Sequence, residues 1–97
     1  MSQSRAVVPT EHASRYLQQL CKHWSHKFAV DFTPTHGEIE LPAGKTVLDA
    51  TDSDLTVTIH ASDAASLDQL EAVVADHIVR FAFREELSFA WTRGAAA

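Results

Sequence analysis

The residues able to do chemistry fall in two stretches, Leu20-Cys21-Lys22-His23-Trp24-Ser25-His26-Lys27-Phe28 and His77-Ile78-Val79-Arg80-Phe81-Ala82-Phe83-Arg84-Glu85-Glu86. In the first, a thiol and two imidazoles suggest a transition-metal site, because thiolate and imidazole are favoured ligands for zinc and its neighbours. Helical geometry argues against using all three. At roughly 100° per residue, Cys21 and His23 point about 160° apart around the axis, so one ion cannot take both while the helix stays intact. Cys21 instead shares an apolar stripe with Leu17 and Trp24 and reads as a small buried hydrophobe, and burial makes a thiol a poor nucleophile. His23 and His26, three residues apart, can reach one external ion from the same side. A third ligand would have to come from His77, Glu85, Glu86 or another chain. Without it, both are solvated histidines on a helix surface, with His26 near a helix end whose dipole favours a cation.

His77 lies between Val74 and Phe81, beside the apolar stripe of its own helix, so its ring nitrogens need hydrogen-bond partners or a ligand. Arg80, Arg84, Glu85 and Glu86 follow in one charged cluster. Arg84 suits bidentate capture of a carboxylate, and Glu85 suits a general base or metal ligand. The same cluster also reads as a salt-bridged helix terminus. The candidate ligand-binding residues are therefore His23, His26, His77, Arg80, Arg84 and Glu85. Among them His23, His26 and His77 are the metal candidates, and a divalent ion is the cofactor they imply. The three glycines form no phosphate-cradling loop, and neither a nucleophile elbow nor a His-Glu-x-x-His pattern occurs.

These side chains have to be positioned by a small fold. Arg5 to Val8 reads as a strand ended by Pro9, and Thr10 is placed to cap a helix. From Ala13, the apolar residues Tyr16, Leu17, Leu20, Cys21 and Trp24 recur at three and four, one buried helical stripe. After Lys27 the period falls to two, with Phe28, Val30 and Phe32 on one side and Ala29, Asp31 and Thr33 on the other. Turns at Pro34 to Gly37, Pro42 to Gly44 and Asp52 to Asp54 separate further strands around Ile39 and Leu41, from Lys45 to Thr51, and from Leu55 to Ile59. Ser62 or Asp63 caps a second helix with the stripe Leu67, Leu70, Val74, Ile78 and Phe81, ending near Phe83 or Arg84. Alternation at Leu87, Phe89 and Trp91 predicts a last strand, and Thr92 onward a frayed tail.

The order β-α-β-β-β-β-α-β predicts an α+β two-layer sandwich, a mostly antiparallel sheet with both helices on its one apolar face. Asp31, Glu38, Glu40, Thr56, Thr58 and His60 would line the other face. The 97 residues, 45% apolar, suit a single domain with one core, ordered from about residue 5 to 91. A net charge of −5, with only eight Lys and Arg, argues against nucleic acid as a partner. No apolar run approaches the roughly 20 residues of a membrane span, and the N-terminus has no secretory pattern. A cytoplasmic protein is expected, and the single Cys21 fits a reducing compartment.

The two stretches, together with Ser14-Arg15-Tyr16-Leu17, resemble a family of small bacterial proteins known as a domain of unknown function, over about Ala6 to Trp91. Similar domains are attached to siderophore-interacting flavin reductases, so the resemblance implies a link to iron handling. Some relatives carry an aldolase label, which would require a Schiff-base lysine or a metal. The resemblance supplies no catalytic residue to carry over. Three readings follow. The first is a noncatalytic binding or accessory domain for a small ligand, linked to iron or siderophores. The second is a metal-dependent or acid–base lyase using the histidines and Glu85. The third is an interaction module that binds a protein partner or forms a homodimer through the open sheet face.

Overall fold

The computed structural model describes residues 2–82 and 85–95. Strands β1 (Ser2–Pro9), β2 (Ala29–Phe32), β3 (His36–Leu41), β4 (Gly44–Ala50), β5 (Asp54–Ala61) and β6 (Thr92–Ala95) are joined by helices α1 (Ala13–Trp24) and α2 (Ala64–Phe81). They form one six-stranded sheet in the order β2-β3-β4-β5-β1-β6, with every neighbouring pair antiparallel. This is the expected α+β sandwich. The alternating directions make β1 parallel to β2, and β5 parallel to β6, so each helix is a crossover between parallel strands, a connection of constrained hand.

Register puts the apolar set of each strand on one face. Val8, Ala6 and Ser4 of β1 pair with Leu55, Val57 and Ile59, which pair in turn with Ala50, Leu48 and Thr46. All but Ala50 are fully or almost fully buried, and they share one core with the helix stripes Leu17, Leu20, Cys21, Trp24 and Leu67, Leu70, Val74, Ile78. Because strand side chains alternate with period two, a slip of one residue would turn this set outward.

Two glycines set how closely the layers approach. A Cβ at Gly37 would lie 2.7 Å from the Cys21 sulfur, and one at Gly44 would meet the His60 backbone and the Leu70 side chain. Glycine at these two positions lets α1 and α2 sit down on the sheet.

Several boundaries differ from expectation. β1 begins earlier and includes Pro9, tolerated as the final residue of its ladder. Thr10 does not cap α1: the cap position is His12, without a side-chain bond, while Thr10 Oγ1 accepts from the His12 amide at 3.1 Å. Asp63 does cap α2, accepting from the Ser66 amide at 2.8 Å, and those hydrogen bonds hold its carboxyl below the ordinary range. α2 stops at Phe81, short of Phe83 and Arg84, which lie outside the described residues.

The last strand is also displaced. Residues 85–91 carry no strand, although Leu87, Phe89 and Trp91 are half-buried and Ser88 and Ala90 exposed. The ladder forms instead at Thr92–Ala95, where a tail was expected, opposite Ser2 to Arg5. Alternation reports which side a residue faces; it does not report whether a partner edge is within hydrogen-bonding reach. Arg93 secures the strand by pairing with Glu71, at 2.8 Å, and with Asp68 on α2.

Candidate functional site

The end of α1, the outer row of α2 and the tip of the β3–β4 hairpin surround a groove of about 530 Å³. His23, Trp24, His26, Lys27 and Phe28 line it from the first element. Gln69, Val73 and His77 of α2 recur every fourth residue, so they form one row beside the buried stripe and face the same groove. Leu41, Pro42 and Ala43 close the far side, and Leu70 forms part of the apolar wall.

Three rings converge within it. The His77 ring centre lies 5.0 Å from that of Trp24 and 5.4 Å from that of His23. His23 also meets Phe81 edge-on at 6.2 Å. His77 Nδ1 is 2.7 Å from the Val73 carbonyl oxygen. A carbonyl only accepts, so Nδ1 carries the proton and Nε2 is the ring's uncommitted nitrogen. Trp24 is buried, whereas His23, His26 and Lys27 are exposed, which leaves an apolar floor under a basic rim.

The groove gathers His23, His26 and His77 but not Arg80 or Glu85, while Arg84 lies outside the described residues. Among the described residues no group of three or more His, Cys, Asp or Glu is placed to hold a metal. Among those residues the three imidazoles share the groove without forming such a group, and no carboxylate lines it. Cys21 is fully buried beneath the same helix, and burial pushes its thiol up to about 11. Arg80 pairs with Asp76 at 3.0 Å on the exposed side of α2, an ordinary i, i+4 surface pair.

Glu85 takes part in a different cavity, of about 650 Å³, lined by Thr10, Glu11, His12, Arg15, Tyr16 and Phe81. Its carboxylate accepts from the Tyr16 hydroxyl and, at 3.1 Å, from the Thr10 hydroxyl. Burial, with Glu85 beside it, pushes the Tyr16 phenol up to about 12, so it stays a donor. This contact ties the chain after α2 to the start of α1.

Sequence reasoning missed the hairpin tip, which no local pattern connects to the histidines. Gln69 and Val73 were within reach, since they stand eight and four residues before His77 on an amphipathic helix. Phe28 was assigned to a strand side; the strand begins one residue later.

Residues 5–92 match the family described as uncharacterised protein conserved in bacteria, DUF2218. The chain belongs to the DUF2218 family. The NMR structure of PA4090 from Pseudomonas aeruginosa is 40% identical to this DUF2218 chain, covers 95% of it and 96% of its own length, and superposes with a TM-score of 0.81. The two-layer α+β architecture is therefore shared with an experimentally determined structure. No curated protein matches this DUF2218 chain.

Proposed function

We propose that this chain is a small noncatalytic binding domain, and that the groove between the end of α1, the outer row of α2 and the hairpin tip holds a ring-bearing small molecule. The observation that carries the proposal is the meeting of the His23, Trp24 and His77 rings in a concavity of about 530 Å³. That is a size and an apolar lining common to small-molecule sites. Aromatic walls favour offset or edge-on contact with another ring, and His77 Nε2 adds a polar group to fix its orientation.

An acid–base lyase would need a carboxylate beside the imidazoles, and Glu85 is engaged by Tyr16 and Thr10 in the other cavity. The narrower proposal of a role in iron handling assigns to the groove the organic, ring-bearing part of an iron chelator; the bare ion would lack a third ligand.

Titrating labelled protein with indole and 2-naphthol, followed by backbone amide shifts, tests the binding reading. The expected outcome is saturable shifts confined to Ala43, Val73 and His77 and their neighbours. Gln69→Trp, which fills the groove from an exposed helix position, is expected to abolish them. Shifts scattered over the surface, or unaltered in the variant, would count against it.

A further inference from the structure

We propose that the groove selects an anion, and that its ligand class is a planar apolar acid whose ring lies against Trp24 and whose carboxylate meets His23 and Lys27. This rests on the binding reading above and concerns the charge that the groove prefers.

The chain as a whole is acidic, with 13 Asp and Glu against eight Lys and Arg. Glu11 and Glu85 line the concavity beside Tyr16, and Glu40 lines the one on the hairpin's other side, whereas one at the β1–β6 edge carries Arg5 and Arg93, the latter already paired with Glu71 and Asp68. Among the described residues no carboxylate lines the groove, while His23, His26, Lys27 and His77 all border it. A cationic ligand would therefore meet no opposite charge and the like charge of Lys27, and an anion would find nitrogen donors in Lys27, His23 and the Gln69 side-chain amide.

One feature of the fold opposes this preference. The carboxyl end of α1 points its macrodipole's negative pole toward the groove, equivalent to about half an elementary charge. A single lysine outweighs it, and Lys27 stands just past that end. Lys27 and His23 are moreover exposed at the rim, free of any ion pair among the described residues. The charge of Lys27 is therefore not neutralised by any ion pair among the described residues. An anion that leaves bulk water for an apolar floor needs such charge-assisted hydrogen bonds to compensate for lost hydration.

The shape sets the rest of the class. Trp24, Phe28, Leu41, Pro42, Leu70 and Val73 supply apolar walls, and the enclosed space suits one or two fused rings. A long flexible acid would lose more conformational freedom than a flat one on entering.

The test compares three probes of one shape: 2-naphthoate, 2-naphthalenemethanol and 2-naphthylmethylammonium, each titrated calorimetrically and by amide shifts at low ionic strength. The expected order is carboxylate over alcohol by about tenfold or more, with the ammonium weakest. A Lys27→Gln variant, altered at one exposed position outside the three-ring cluster, is expected to bring carboxylate and alcohol within about threefold, and an unchanged carboxylate preference in it would overturn the role of Lys27. Equal binding of carboxylate and alcohol by the unaltered protein would overturn the charge preference and leave the binding reading intact. Failure of all three probes to bind would overturn both.

Discussion

Two histidine settings on opposite faces of the same sheet show how little the residue type alone decides. On the helix side, His77 meets the rings of both His23 and Trp24, and no carboxylate among the described residues lines the groove they share. On the open side, His36 Nδ1 lies 2.6 Å from Asp49 and Nε2 3.0 Å from Glu38, which also holds Lys45 at 2.5 Å. Both ring nitrogens of His36 can donate to these carboxylates only when the imidazole is protonated, and the hydrogen bonds to Asp49 and then Glu38 raise its pKa above the ordinary value. A histidine with both nitrogens paired to acids is a rung in a solvated ladder. One with a nitrogen uncommitted beside an apolar floor is available to a ligand. Sequence marked His23 by its three-residue spacing from His26 and His77 by the apolar stripe beside it, and passed over His36, whose partner Asp49 is brought by the neighbouring strand.

The same contrast extends to stability, and the largest expected effect lies on the helix side. Leu70, 4% exposed, belongs both to the core and to the groove wall. Leu70→Ala should lower the unfolding free energy in urea by roughly 2–5 kcal/mol through the cavity it leaves. Val7, 47% exposed on the open face, should change it by no more than about 0.5 kcal/mol when cut to alanine. A cost at Val7 approaching that at Leu70 would break the comparison, and would point to an open face covered by a second copy in solution.

Tyr16→Phe removes a hydroxyl donor from a partly buried carboxylate without altering the ring's packing. Leaving Glu85 under-satisfied should cost about 1–3 kcal/mol in the same measurement. A neutral outcome would mean that water replaces the phenol, and that the tie between the two helix ends is weak.

Thr46 offers a test of opposite sign. It is fully buried on the inner face, and its hydroxyl has no partner among the described residues. Thr46→Val keeps the shape and removes an unpaired polar atom, so it should stabilise by about 1 kcal/mol and raise the melting temperature. No gain would imply an internal water at this position.

The smallest effect belongs to His36. Its folded-state pKa lies above the unfolded 6.5. Its contribution is therefore complete below about 6.5 and is lost as pH rises through the higher folded value. With its side chain 45% exposed, solvent screening should keep that contribution under about 1 kcal/mol. Melting temperatures between about pH 6 and pH 8 should show a decline that is reduced in His36→Gln. Identical slopes would place the pH dependence elsewhere.

The architecture was legible because each element declared its own period. The α1 stripe of Ala13, Tyr16, Leu17, Leu20, Cys21 and Trp24 is buried as the spacing predicts, and β5 alternates over its whole length. The site was legible only in part. His23, His26 and His77 share a groove, but Arg80 points to solvent with Asp76 and Glu85 serves the Tyr16 cavity. Adjacency along a helix end had grouped Arg80 and Glu85 with His77. Arg80, still within α2, leans onto Asp76 at the helix surface, and Glu85 lies past the helix end beside Tyr16.

The amino-acid order alone determined which residues face the core, since a side chain's direction follows from helical or strand period and needs only its near neighbours. Tertiary structure decided everything that depends on distant segments meeting: the β6 ladder at Thr92–Ala95, the hairpin tip against α2, and the pairing of His23 with His77. Those contacts follow from strand order and from how closely glycine lets the layers approach, quantities set by the whole fold and written in no single segment.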